Sequence, residues 1–290
     1  MAAEGPDSVE QQSIRGLDID KTVKGFALID YTFKNECTVS ATGVDTIRWY
    51  QETSTDLTAT APQQVANISP LSTFPTLEPT WTRQTSYMRK YAAEGFISME
   101  DIKSADIDVV ARTLHKLTRA VVKQVDTRIW NVLTQSVERA AGTWTINLTD
   151  SAGWSGATAF LTDVLNAKKL IEDNNYSTTN ARLLISPTNN KDMLMYLIST
   201  KGSSIPSYAS ARIQDGVVMN ILGVDVVVSN NVEASGAALV VPQRACTWKN
   251  YQDTTSVAIQ EPGIGTEFRV WEIGEAYLTD PKAVCFISGS

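Results

Sequence analysis

His115 is the only histidine in the chain, and that limits the chemistry on offer. A serine or cysteine hydrolase uses a histidine base held in place by a carboxylate. His115 sits beside Lys116 and one turn from Arg112 and Arg119, and no carboxylate stands three or four residues away. The nearby cations also disfavour its charged form. Cys37, Cys246 and Cys285 are odd in number and far apart. That spacing fits neither a disulfide framework nor a zinc site, so reduced thiols and no metal are expected. The carboxylate pairs Glu100/Asp101 and Asp106/Asp108 have the types for acid–base work. They stand where a helix begins, however, and there they complement its positive end. No phosphate loop, dinucleotide fingerprint or nucleophile elbow occurs, and Gly263-Ile264-Gly265 reads as a turn between strands. No catalytic residue, cofactor or metal is therefore assigned, and no enzyme activity is expected. The remaining chemistry is that of contact. Arg112, Lys116, Arg119 and Lys123 recur at offsets of four, three and four. They form a basic row suited to phosphates or to an acidic neighbour.

That row lies on the clearest predicted helix, residues 104–135. Ile107, Val110, Leu114, Leu117, Val121, Val125 and Val132 fall on the opposite face at helical spacing. Ser104 is the expected N-cap. At 1.5 Å per residue such a helix is roughly 45 Å long.

Before it, residues 53–86 are rich in Thr and Ser and contain Pro62, Pro70, Pro75 and Pro79, which excludes helix interiors and central strands. Yet Val65, Ile68, Leu71, Phe74 and Leu77 recur every third residue, with Trp81 beyond them. A period of three suits an extended chain with one apolar face. Such a loop has no core of its own, so these six residues are expected to pack on a neighbouring subunit. Residues 1–44 show no strong helix pattern and read as an arm with one or two short strands. Later come a helix near 158–173, a strand at 182–186, a helix opened by Pro187 and a hairpin turning at Gly223. Strands are expected at 238–241, 246–248, 256–260, 268–273 and 283–287, with turns at Pro262-Gly263, Gly274 and Asp280-Pro281. The class is α+β, without a βαβ repeat.

The 290 residues suit one elaborate fold, and 43% apolar content supports a real core. The net charge of −7 argues against wrapping nucleic acid over the whole surface and leaves only local contact. No apolar run reaches membrane-span length, and the polar, acidic start lacks the features of a signal peptide. Synthesis and folding in a cytoplasm are expected.

Residues 97–108, Ile-Ser-Met-Glu-Asp-Ile-Lys-Ser-Ala-Asp-Ile-Asp, resemble the lead-in to the spine helix of tailed-phage major capsid proteins. Val125-Asp126-Thr127-Arg128-Ile129-Trp130-Asn131 is similar to that helix's ending, although Val132 stands where a Gly is usual. Residues 181–188, the stretch 221–229 (with Asp225 for the common Pro) and the closing Asp280-Pro281-Lys282-Ala283 resemble its apical strand, hairpin and final strands. The resemblance runs over residues 45–290. It implies the tailed-phage major capsid fold: an N-terminal arm (1–44), an extended loop (45–95), a peripheral domain with the long spine helix (96–150), an apical domain (151–250) and strands returning to the peripheral domain (251–290). It also implies hexamers and pentamers forming an icosahedral shell around double-stranded DNA. The partners implied are other copies of the chain, a portal protein, a separate scaffolding protein where one is used, a decoration protein and the packaged DNA, with no membrane. Two other readings remain: an encapsulin-like nanocompartment, which shares the fold, and a tail or receptor-binding protein. The family-like segments begin within about 45 residues and no heptads precede them, so no cleaved internal scaffold is expected. Some relatives weld subunits through a loop lysine. Here no lysine occurs between Asp45 and Arg89, so no such weld is expected.

Overall fold

A computed structural model of the protein describes residues 16–52, 69–70, 73, 81–104, 109–154, 159–196 and 220–289. Among its described residues the arm has a helix ahead of the one strand that bears out its expected strands. That helix, α1, is Gly16–Asp30. Ile19, Val23 and Ala27, spaced by four, are buried along one side of it. The same spacing is visible in the sequence, but Gly25 and Thr22 dilute the pattern. A single turn of 3-10 helix, Lys34–Glu36, leads to strand β1, Thr38–Ala41.

Strands β2, Thr46–Glu52, and β3, Trp81–Tyr87, pair antiparallel as a separate two-stranded ribbon. β4, Arg89–Ser98, runs on into a short helix α2, Met99–Ser104. Ser104 is the last described residue of α2, and the expected cap and Asp106, Ile107 and Asp108 lie outside what is described. Within the described residues the long helix α3 is Val109–Leu133, about 37 Å at 1.5 Å per residue. Leu114, Val121 and Val125 are buried as predicted. Val122, Ile129, Trp130 and Leu133 join them, so the buried face widens toward the C-terminal end.

After α4, Ser136–Ala141, and β5, Asn147–Asp150, come α5, Ala159–Glu172, β6, Arg182–Ile185, and α6, Pro187–Tyr196. The expected hairpin is present as β7, Asn220–Ile221, and β8, Val224–Val228. β8 also pairs parallel with β6. β9 is Gly236–Val240 and β12 is Val284–Ser288. The strands expected at 246–248 and 256–260 are one strand, β10, Cys246–Glu261. β11, Gly265–Leu278, runs straight through Gly274, where a turn was expected. Gly274 is needed for close approach: a Cβ there would meet Trp248 Cζ2 at 2.5 Å and the Lys249 carbonyl at 2.8 Å.

Two sheets organise the molecule. One has the order β1-β10-β11-β4, the other β5-β12-β9-β6-β8-β7. Residues 241–245 carry the chain from β9 in the second sheet to β10 in the first. α5 packs on the second sheet through Phe160, Val164, Ala167 and Ile171. α1 and α3 pack on one face of the first, where Ile19, Val23, Leu114 and Val121 meet Phe268 and Val270. Burying each such side chain contributes roughly 1.5–3 kcal/mol. A central cluster of Phe33, Val125, Ile129, Trp130, Trp248, Val284 and Phe286 joins arm, long helix and both sheets.

Candidate assembly surface

Carboxylates on the body hold the arm. Asp126, on the buried side of α3, accepts from the backbone N–H of Thr32 at 2.9 Å and from those of Phe33 and Lys34 at 3.2 Å. These donors follow the end of α1 and would otherwise be buried without partners. Burial outweighs them and pushes the Asp126 carboxyl up to about 6. Glu272 of β11, fully buried, takes Lys34 Nζ at 2.6 Å, Thr254 Oγ1 at 3.1 Å and the Tyr31 hydroxyl. The same ammonium lies 4.3 Å from the Tyr31 ring centroid and 5.6 Å from that of Trp248. Glu36 pairs with Arg182, tying the arm to β6, and burial raises its carboxyl. Asp20 of α1 accepts from the Ser256 N–H of β10 at 3.0 Å.

The β2–β3 ribbon is tied to the body along β2, where Gln51 Nε2 also donates to Thr145 Oγ1 at 3.4 Å. Trp49 stacks on Tyr277 at 4.8 Å between centroids and donates its indole N–H to the Leu278 carbonyl at 3.2 Å. Beside the return strand, buried Glu275 takes Arg128 Nε at 2.8 Å and Arg89 Nε at 3.2 Å. Burial raises the Glu275 carboxyl, with Arg128 opposing the shift. Trp81 opens β3 opposite Glu52. The predicted apolar stripe, Val65, Ile68, Leu71, Phe74 and Leu77, lies outside the described residues.

Arg112, Lys116, Arg119 and Lys123 are all exposed on α3. Lys116, Arg119 and Lys123 line a cavity of about 540 Å³ with Asp30, Thr32, Asp126 and residues 228–231. Arg119 Nε lies 3.7 Å from Asp30 Oδ2, so part of the row's charge is already matched. His115 does meet a carboxylate, but one from another helix: its Nε2 is 3.8 Å from the same Asp30 oxygen, and Phe26 packs edge-on to its ring at 5.0 Å. The ring thus has packing and charge partners but no nucleophile among the described contacts. No cluster of three or more metal-ligating side chains occurs among the described residues. The three cysteines are free and buried.

On the outer face of the first sheet Phe96 is 53% and Val257 40% exposed. The register sets Phe96 beside Glu267 and Val257 beside Arg269, with Arg269 Nε 3.0 Å from Glu94. Sequence reasoning missed Lys34, Asp126, Glu272 and Glu275 because nothing local marks them. The partner of each is distant in sequence. A lone acid on the apolar side of a predicted helix, as Asp126 is, was the one available signal.

A family model described as phage capsid protein matches residues 84–287. A search of curated protein sequences finds no match. Among solved structures, the capsid of the cyanophage P-SCSP1u is similar with a TM-score of 0.66 at 14% identity, over 90% of this chain and 88% of that one. The capsid of a native GTA particle gives 0.65 at 12% identity, over 90% of each chain. A virus-like particle from Pyrococcus furiosus gives 0.61 at 12% identity, over 93% of this chain and 98% of that one.

Proposed function

The chain belongs to the phage capsid protein family, and from that premise we propose how it builds its shell. It is a major capsid protein, a subunit of the icosahedral shell of a virion. Our reading is that hexamers and pentamers of it enclose double-stranded DNA, and that its work is assembly and not catalysis. The arm (1–44), extended loop (45–95), peripheral domain (96–150), apical domain (151–250) and closing strands (251–290) are proposed as its working parts.

One observation carries the reading. The β2–β3 ribbon is anchored by Trp49, Arg89 and Glu275, while residues 53–80 stand between its strands. We read that segment as the extended loop by which one copy reaches the next. Val65, Ile68, Leu71, Phe74, Leu77 and Trp81 would then pack on a second copy, and the exposed Phe96 and Val257 of the first sheet offer it an apolar surface. Arg112, Lys116, Arg119 and Lys123 would face packaged DNA or an acidic neighbour. A portal protein, a scaffolding protein and a decoration protein are the remaining partners we propose, with assembly in the host cytoplasm.

The test replaces residues 55–79 by a short Gly/Ser turn, sparing both strands. The variant should stay folded and helical by circular dichroism and form no closed particles by negative-stain microscopy. Closed particles from it, or an unfolded subunit, would refute the inter-subunit role. The likeness to the Pyrococcus furiosus particle favours one second reading, a genome-free compartment. Nuclease-protected DNA in purified particles decides between the two.

A further inference from the structure

β1 pairs parallel with β10 in the register Thr38 to Thr247. The preceding residues, Cys37 and Cys246, therefore stand opposite one another. Cys37 is extended, with φ −93° and ψ 153°. Opposed residues on neighbouring strands have Cα atoms about 4.8 Å apart. That lies inside the roughly 4.4–6.8 Å span a disulfide bridges. Both side chains are buried, at 4% and 1% exposure, in the same central cluster. The neighbouring Cys246 thiol and burial together raise Cys37 well above the ordinary thiol range.

The place matters as much as the contact. Cys246 opens β10, directly after residues 241–245 cross from one sheet to the other. The arm is held at that crossing by neutral and ionic contacts. Gln243 N–H donates to the Glu36 carbonyl at 2.7 Å, Thr38 Oγ1 donates to the Gln243 carbonyl at 2.5 Å, and Glu36 pairs with Arg182. Cys285, buried elsewhere, belongs to the cluster under α5 and has no such neighbour among the cysteines.

We propose that Cys37 and Cys246 are a modification site: an intrachain disulfide that a peroxide forms and that staples the N-terminal arm to the crossing between the two sheets. Cys37, whose thiol is held above the ordinary range, keeps its proton, and Cys246 is oxidised first. The Cys246 sulfur attacks one oxygen of hydrogen peroxide, the O–O bond breaks, the departing hydroxide takes the Cys246 proton and leaves as water, and Cys246 becomes a sulfenic acid. The Cys37 sulfur then attacks the Cys246 sulfur, the S–O bond breaks, and hydroxide leaves with the Cys37 proton as water. Two thiols lose two electrons, and one peroxide becomes two waters. In a reducing cytosol the pair stays open; once the particle meets an oxidising medium it closes.

The experiment uses assembled shells purified with a reductant, then freed of it and exposed to hydrogen peroxide. Denaturation in an alkylating agent, intact mass and a non-reducing peptide map follow. Oxidation of exposed Met195 shows that the peroxide acted. One alkylated thiol per chain, a Cys37–Cys246 linked peptide and a loss of about 2 Da before alkylation are expected. Cys285→Ser should form the same link, whereas Cys37→Ser should leave Cys246 alkylatable or trapped as a sulfenic acid. The linked shell should melt several degrees above the reduced one, and Cys37→Ser should show no such difference. Three free thiols after Met195 has oxidised, a link through Cys285, or a link between chains would overturn the proposal.

Discussion

Replacing Lys34 by Met tests whether charge holds the arm. Lys34 Nζ and Glu272 Oε1 are 2.6 Å apart, with side-chain exposures of 11% and 0%. At an effective dielectric of roughly 20, that separation gives an attraction of about 6 kcal/mol. Desolvating the two ions takes back several kcal/mol each, so the intact pair contributes little net stability. Removing Lys34 alone is different, because it leaves the Glu272 charge buried with only the Tyr31 and Thr254 hydroxyls as donors. K34M should therefore cost about 3–5 kcal/mol. K34M/E272Q removes the stranded charge and keeps acceptors for both hydroxyls, so it should cost only about 1 kcal/mol. The double-mutant cycle then gives a coupling of about 2–4 kcal/mol plus whatever E272Q costs alone by stranding the Lys34 ammonium. Urea unfolding of the unassembled subunit at neutral pH measures all four corners, and amide exchange over residues 16–41 shows whether the loss lies in the arm. If K34M costs less than about 1 kcal/mol, or the double variant is no more stable than K34M, the arm is held by apolar packing and the electrostatic argument fails.

Asp126 gives a pH dependence of known sign. Its carboxyl is raised from 3.8 to about 6, so its contribution is fully present below pH 3.8 and is lost as pH rises through 6. Wild type should gain up to ~3 kcal/mol over D126N in urea between pH 7.5 and pH 4, and parallel pH profiles would contradict this. Glu36 and Glu275, also raised, are common to both proteins and cancel in the comparison. Replacing Arg112, Lys116, Arg119 and Lys123 together by Gln should keep helix α3, since Gln is a good helix former, and reduce the yield of filled particles in a salt-sensitive way; wild-type yield would make the row a solvated surface. Boiled mature shells should run as one band near 31.7 kDa on a denaturing gel, because the loop has no lysine from Asp45 to Arg89 and Lys90 Nζ lies 5.5 Å from its own Trp271 ring centroid. A ladder of multimers that survives reduction would point to Lys90 after all.

The parts legible in the sequence are those whose cause is local. The long helix follows from a periodic face, α5 and α6 from shorter ones, and the β7–β8 turn from Gly223. The parts that were misread have distant causes. Gly274 looks like punctuation, yet its missing side chain makes room for Trp248 on the neighbouring strand, so the glycine lengthens β11 instead of ending it. Among its described side chains helix α1 carries three buried positions at the helical interval, and it has a glycine within it, too little to specify a helix of 15 residues without the sheet and α3 beneath it. The basic row was legible as a row, but its ion pair with Asp30 depends on where α1 docks.

The same separation explains how the arm is attached. Apolar contacts from Ile19, Val23 and Ala27 give α1 a face to rest on, but a face alone tolerates sliding by a turn. Beyond the helix, Asp126 accepts three consecutive N–H groups and Glu272 receives one ammonium and two hydroxyls. Those contacts have direction and stoichiometry, so a shifted arm would leave a carboxylate buried without partners. Register is therefore set by the anions of α3 and β11, and area supplies the adhesion. A shell subunit gains from that division. An arm held by area alone could settle in several places, whereas one that must satisfy two buried anions has a single seat, and K34M should loosen that choice of seat more than it reduces the buried area.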